Sequence, residues 1–126
     1  MSTFLSAQIF TILTGVVVLF QAGLAVGMPW GAASMGGKFP GKYPPRMRWV
    51  AVINIFVLAF LALIVLSRAH LLLPGMLSFS KIAIWFVVLY ALAGTILNTI
   101  TPSKTERIWA PVAFIQLVCS LMVALG

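Results

Sequence analysis

Residues 3–26, TFLSAQIFTILTGVVVLFQAGLAV, decide the fold. Gln8, Thr11, Thr14 and Gln21 are polar side chains scattered through an otherwise apolar run. A helix of this length covers the ~30 Å of bilayer hydrocarbon at ~1.5 Å per residue. The run lacks the basic leader of a signal peptide, and it is longer than an h-region. It therefore reads as a retained membrane-spanning helix.

Three further apolar runs follow, and together they predict helices over about 3–26, 47–67, 79–100 and 104–126. Only helices and closed barrels satisfy backbone groups in lipid, and uninterrupted runs of this length are helical. The expected fold is all-α: one integral membrane four-helix bundle spanning 1–126. Composition agrees. The chain is 63% hydrophobic and 7% charged, with a mean hydropathy of +1.18, whereas soluble domains carry about 25% charged residues.

The connections carry the chain's punctuation. Residues 28–46 read MPWGAASMGGKFPGKYPPR, too rich in glycine and proline for a regular helix. Leu73-Pro74-Gly75 separates the second and third runs, and Thr101-Pro102-Ser103 ends the third. Ser103 and Glu106 stand at capping-box spacing, which predicts a helix starting near Lys104. Six cations lie in or beside the first and third loops: Lys38, Lys42, Arg46, Arg48, Lys104 and Arg107. The opposite side has Arg68 and Lys81. The positive-inside rule then places loops one and three in the cytoplasm and both termini outside. A net charge of +7 thus reads as topogenic, and nucleic acid is not an expected partner.

Polar side chains recur along the helices. Ala7, Gln8, Thr11, Thr14, Gly15, Gln21, Ala22 and Ala25 share one arc of the first helix, with Phe4, Ile9, Phe20 and Leu24 outside it; Ile9, Phe20 and Leu24 are expected to face lipid. Ala91, Gly94, Thr95 and Asn98 form a stripe on the third helix, and Trp109, Val112, Gln116, Cys119 and Ser120 form one on the fourth. Small and amide side chains of this kind pack helices together. They could also line an uncharged cavity built from Gln8, Gln21, Asn54, Asn98 and Gln116.

Catalytic chemistry finds little material. Glu106 is the single carboxylate side chain, and it falls in a loop. One His, one Cys and one Glu stand far apart in sequence, so neither a metal site nor a cofactor is expected. His70 is the sole histidine and lies in a loop, which gives haem no credible ligand pair. Cation-coupled carriers keep an ionisable group in the membrane, and none is present here. The small multidrug exporters share this size and helix count but use a carboxylate in the first helix. The pore motif of the small fluoride channels has no counterpart.

Two loop clusters remain. The first contains Trp30, Gly31, Gly36, Gly37, Arg46 and Arg48, and the second contains Glu106, Arg107 and Trp109. They are expected to meet as an ordered cytoplasmic cap, with Arg46 or Arg48 against Glu106. The aromatic residues also suit a membrane-interface belt. The patterns Gly27-Met28-Pro29-Trp30-Gly31, Gly36-Gly37, Pro45-Arg46 and Asn98…Ser103…Glu106-Arg107…Trp109…Pro111 run nearly the full length of the chain. In them the chain resembles an uncharacterised family of small four-helix bacterial membrane proteins. That resemblance implies that the two loops form a unit, and it implies no activity. The expected function is a non-catalytic inner-membrane protein acting through contacts with lipid, with itself or with another membrane protein. A small channel or carrier for an uncharged or anionic solute is the alternative. An enzyme or binding site for a membrane-soluble small molecule is a third reading.

Overall fold

The computed structural model describes residues 2–126. Four α-helices follow one another: α1 Thr3–Val26, α2 Pro45–Arg68, α3 Leu77–Ile100 and α4 Trp109–Leu125. All four spans are long and apolar enough to cross a membrane. In ring order, α1 packs on α2 and α4, and α3 packs on α4 and α2.

The helix ends show why the boundaries fall where they do. The Ser2 hydroxyl accepts from the Leu5 N–H at 3.0 Å and caps α1. At the other end Gly27 takes φ 96°. The Met28 N–H then reaches the Gly23 carbonyl at 2.9 Å and the Gly27 N–H the Leu24 carbonyl at 3.3 Å, the two bonds of a Schellman ending. Pro45 opens α2, two residues before the expected start, because proline suits the first helical position. Helix α4 starts later than expected. A 3₁₀ turn over Glu106–Ile108 precedes it, and regular α-helix begins at Trp109. At the far end of the bundle Arg68 donates to the carbonyls of Ala124 and Gly126 at 3.5 and 3.4 Å. A cation is favourable at a helix C-terminus.

Two cores divide the bundle by depth. Near the termini, Ala7, Phe10, Ile64, Val65, Ala83, Ile84, Val87, Cys119 and Val123 join all four helices. Near loop one, Leu24, Tyr43, Met47 and Ala51 join α1 to α2 alone. At that end the α1–α2 half and the α3–α4 half are therefore not closed by a shared core.

The inward face of α1 agrees with the expected arc at Ala7 and Thr14 and departs from it elsewhere. Ala7, Phe10, Thr14 and Leu24 are buried, while Gln8 and Gly15 are exposed. Ile9 packs partly against the main core, and Phe20 is half-buried among aromatic residues. Gln8 lies five residues from the start of α1, about 8 Å from the helix end, where interfacial water can satisfy its amide without burial. Thr14 and Gln8 are six residues apart, which puts them about 120° apart on the helix. A side chain added at Gly15 meets nothing within 4 Å, whereas one at Gly23 overlaps the Trp30 ring. Gly15→Leu is thus expected to leave the melting temperature in detergent unchanged, and Gly23→Leu to lower it. Equal behaviour of the two variants would reject this helix orientation.

Candidate functional site

Loop one folds back over the bundle and is tied to loop three by three hydrogen bonds. The Gly36 N–H points between the two carboxylate oxygens of Glu106, at 3.2 Å from each. The Ser103 hydroxyl donates to the Ala32 carbonyl. The Trp109 indole N–H donates to the Ala33 carbonyl at 3.1 Å. Gly36 makes the first bond possible, because its left-handed φ of 66° turns its N–H toward loop three.

These bonds correct two expectations. The capping box is only half formed: the Ser103 hydroxyl accepts the Glu106 N–H at 3.3 Å, but the Glu106 side chain leaves its own helix for Gly36. Neither Arg46 nor Arg48 pairs with Glu106. The Arg48 Nε donates to the Tyr43 carbonyl at 2.9 Å, and its guanidinium lies over Gly27, at the C-terminus of α1. Arg46 is exposed. The Arg107 Nε donates to the Thr101 carbonyl at 3.1 Å, within loop three. A guanidinium at a helix end exchanges water for the terminal carbonyl field, which competes with a distant carboxylate.

Aromatic rings support the loop from beneath. Trp30 stacks on Phe20 with ring centroids 6.2 Å apart and planes 11° apart. Phe20 also meets Trp109 at 4.8 Å. Two tryptophans expected at a membrane belt therefore pack on protein, although Trp30 remains 40% exposed, and Trp49 is 71% exposed. Tyr43 is buried, and its hydroxyl bonds to Ser34. Burial pushes the Tyr43 phenol above its ordinary value; the Ser34 bond opposes this, and the nearby Glu106 carboxylate adds to it.

Under the loop lies a cleft of about 870 Å³. Val17, Phe20 and Gln21 form its α1 wall, Tyr90, Ala91, Gly94, Leu97 and Asn98 its α3 wall, and Trp109, Val112, Ala113 and Gln116 its α4 wall. Ser34, Met35, Gly36, Lys38 and Phe39 of loop one and Glu106 of loop three close its top. Helix α2 contributes Leu58 alone. The cleft is thus open along the side between α2 and α3, where Tyr90 and Leu97 are 49% and 62% exposed. Toward the termini it ends against the core of Phe10, Ile64, Val87 and Cys119.

Of the five amide candidates, the cleft gathers Gln21, Asn98 and Gln116. Gln8 is exposed, and the half-buried Asn54 lies outside the lining. Sequence reasoning missed Phe20, Lys38 and Tyr90. Nothing in their spacing marks them, since the partner elements come from distant parts of the chain. The amides are anchored by their nitrogens. The Asn98 Nδ2 donates to the Gly94 carbonyl at 2.6 Å, and the Gln116 Nε2 donates to the Thr14 hydroxyl at 2.9 Å. That hydroxyl donates in turn to the Phe10 carbonyl at 2.8 Å, so Thr14 can only accept from Gln116. The Gln21 Oε1 is buried without a partner.

Among the described residues no His, Cys, Asp and Glu side chains gather as a metal site requires. No family model, curated protein or solved structure matches the chain. Fold and site together define a polytopic four-helix membrane protein with a capped, laterally open cleft, and its function is read from that geometry.

Proposed function

We propose that this is a non-catalytic protein of a bacterial inner membrane that holds an amphipathic, lipid-soluble molecule in the cleft and acts through that contact. The observation that carries the reading is the cleft itself: apolar walls, a polar end beneath loop one and an open side toward the bilayer. Ligand sites are characteristically concave and mostly apolar, with a few fixed polar groups, and span about 300–1,000 Å³. A molecule entering between α2 and α3 passes from lipid without crossing water.

Gly94 offers the test. A Cβ built there meets only the Ala113 Cβ, at an ordinary 3.6 Å, and Gly94 lines the cleft, so Gly94→Phe is expected to fill the cleft and leave the bundle folded. Wild-type protein washed in mild detergent is expected to retain a lipid-like species, detected by native mass spectrometry. Gly94→Phe is expected to lose it while melting at a similar temperature. Equal retention by both would reject the cleft as the site.

Loops one and three are assigned to the cytoplasm on the six-to-two bias of Lys and Arg. Cysteines placed at Lys38 and Lys104 should resist an impermeant reagent in intact cells and react after permeabilisation. Labelling from outside would reverse the orientation.

A further inference from the structure

We infer that the molecule held in the cleft is a phospholipid with a primary-amine head, of the phosphatidylethanolamine class. This rests on the cleft being a lipid site and adds which head it selects.

The hydrogen-bond inventory of the polar end supports this choice. Asn98 and Gln116 are anchored through their nitrogens, and among the described residues no donor reaches either carbonyl oxygen. The Gln21 Oε1 is likewise without one. The fourth acceptor is Glu106, whose two oxygens share the single N–H of Gly36. A carboxylate has about four acceptor positions, so most of its capacity is free. Among the described residues no cation pairs with it. The loop end of the cleft therefore holds the Gln21, Asn98 and Glu106 acceptors and the chain's only negative side chain.

Lys38 is the one cation on the cleft lining, and it is exposed at the rim. The site thus presents opposite charges on one lining, with Gln21 and Asn98 toward the same end of the cleft. A zwitterionic head complements both. Its phosphate answers the Lys38 ammonium, and its own ammonium brings N–H donors to Glu106, with the Asn98 oxygen at the same end of the cleft. A quaternary ammonium has the charge but no N–H. A glycerol head has hydroxyl donors but no cation.

Depth agrees. Asn98 lies two residues from the end of α3 and Gln21 five from the end of α1. Gln116 lies deeper, where it bonds to Thr14, twelve residues from the end of α1. At ~1.5 Å per residue Asn98 and Gln21 fall within about 8 Å of the helix ends, near the depth of lipid heads. The acyl chains leave through the gap beside Leu58, so the cleft need enclose only the head and the adjoining methylenes.

The purified full-length protein, in mild detergent, is titrated with defined lipids and read by native mass spectrometry. Phosphatidylethanolamine, phosphatidylcholine and phosphatidylglycerol of matched acyl chains are compared. The expected preference for phosphatidylethanolamine over each of the others is about tenfold, the effect of one charge-assisted contact. Glu106→Gln should reduce it. Because Glu106 also ties the loops, Asn98→Leu provides an independent variant: Asn98 bonds only within α3. It should lower the preference while amide exchange in loop one stays unchanged. Equal binding of phosphatidylcholine, or preference for phosphatidylglycerol, would overturn the head-group inference and leave the lipid site standing. Absence of binding by all three lipids would overturn both.

Discussion

Gly31→Ala is expected to open loop one and cost about 3–4 kcal/mol, combining overpacking with a lost hydrogen bond. A Cβ at Gly31 would overlap the Phe39 carbonyl oxygen and lie 2.7 Å from that of Gly41. Both obstacles are backbone atoms, so no side-chain rotation relieves them. The Gly31 N–H also donates to the Gly41 carbonyl at 2.8 Å, and separating the strands of the loop breaks that bond. The need here is close approach, because Gly31 is not among the positive-φ glycines. Gly41 is the informative contrast. Its φ is 76°, yet a Cβ there meets nothing within 4 Å. Gly41→Ala should therefore cost only the ~1–2 kcal/mol of a left-handed non-glycine residue. Denaturation in mild detergent, with amide exchange across loop one, measures both variants. A Gly31→Ala protein no less stable than Gly41→Ala would refute the close-approach account.

The four helices were legible because lipid leaves a chain few options: a long apolar run must satisfy its own backbone. The meeting of the two loops was legible too, from glycine, tryptophan and a lone carboxylate clustered around proline breaks. The rotation of α1 was not. Leu24 is fully buried and Gln8 exposed, although Ala7 and Thr14 of the expected arc are buried, because Gln8 lies near enough to the helix end to reach interfacial water. The partner of Glu106 was illegible for a different reason. Sequence displays side-chain cations, and Arg46 and Arg48 were the visible choices. The donor that reached Glu106 is a backbone N–H exposed by the left-handed turn at Gly36, and backbone donors leave no mark in composition. Three cavity amides out of five gathered because Gln21 and Thr14 lie seven residues apart and share a face, whereas Gln8 faces elsewhere. The anchoring of Gln116 on Thr14 joins helices 102 residues apart, beyond the reach of any local pattern.

Glu106 is expected to yield a graded series. Glu106→Ala leaves the Gly36 N–H without its acceptor at a partly buried site, at a cost of about 1–2 kcal/mol. Glu106→Gln keeps a carbonyl oxygen in the same place and loses only the charge assistance, at a cost of about 0.5–1 kcal/mol. Lys42 is exposed and forms no hydrogen bond across the loops, so Lys42→Gln should be close to neutral. The same order should appear in the exchange rates of residues 31–37. Ser103 and Trp109 hold the neighbouring carbonyls of Ala32 and Ala33 from the same side, so loss of Glu106 alone should loosen the loop rather than release it. Removing Glu106 and Trp109 together should exceed the sum of the single effects, because the two bonds constrain one short segment and share its ordering entropy. Strict additivity would indicate two independent tethers. Exchange in Glu106→Ala equal to wild type, or a larger effect for Lys42→Gln than for Glu106→Gln, would remove the carboxylate from any role in closing the cleft.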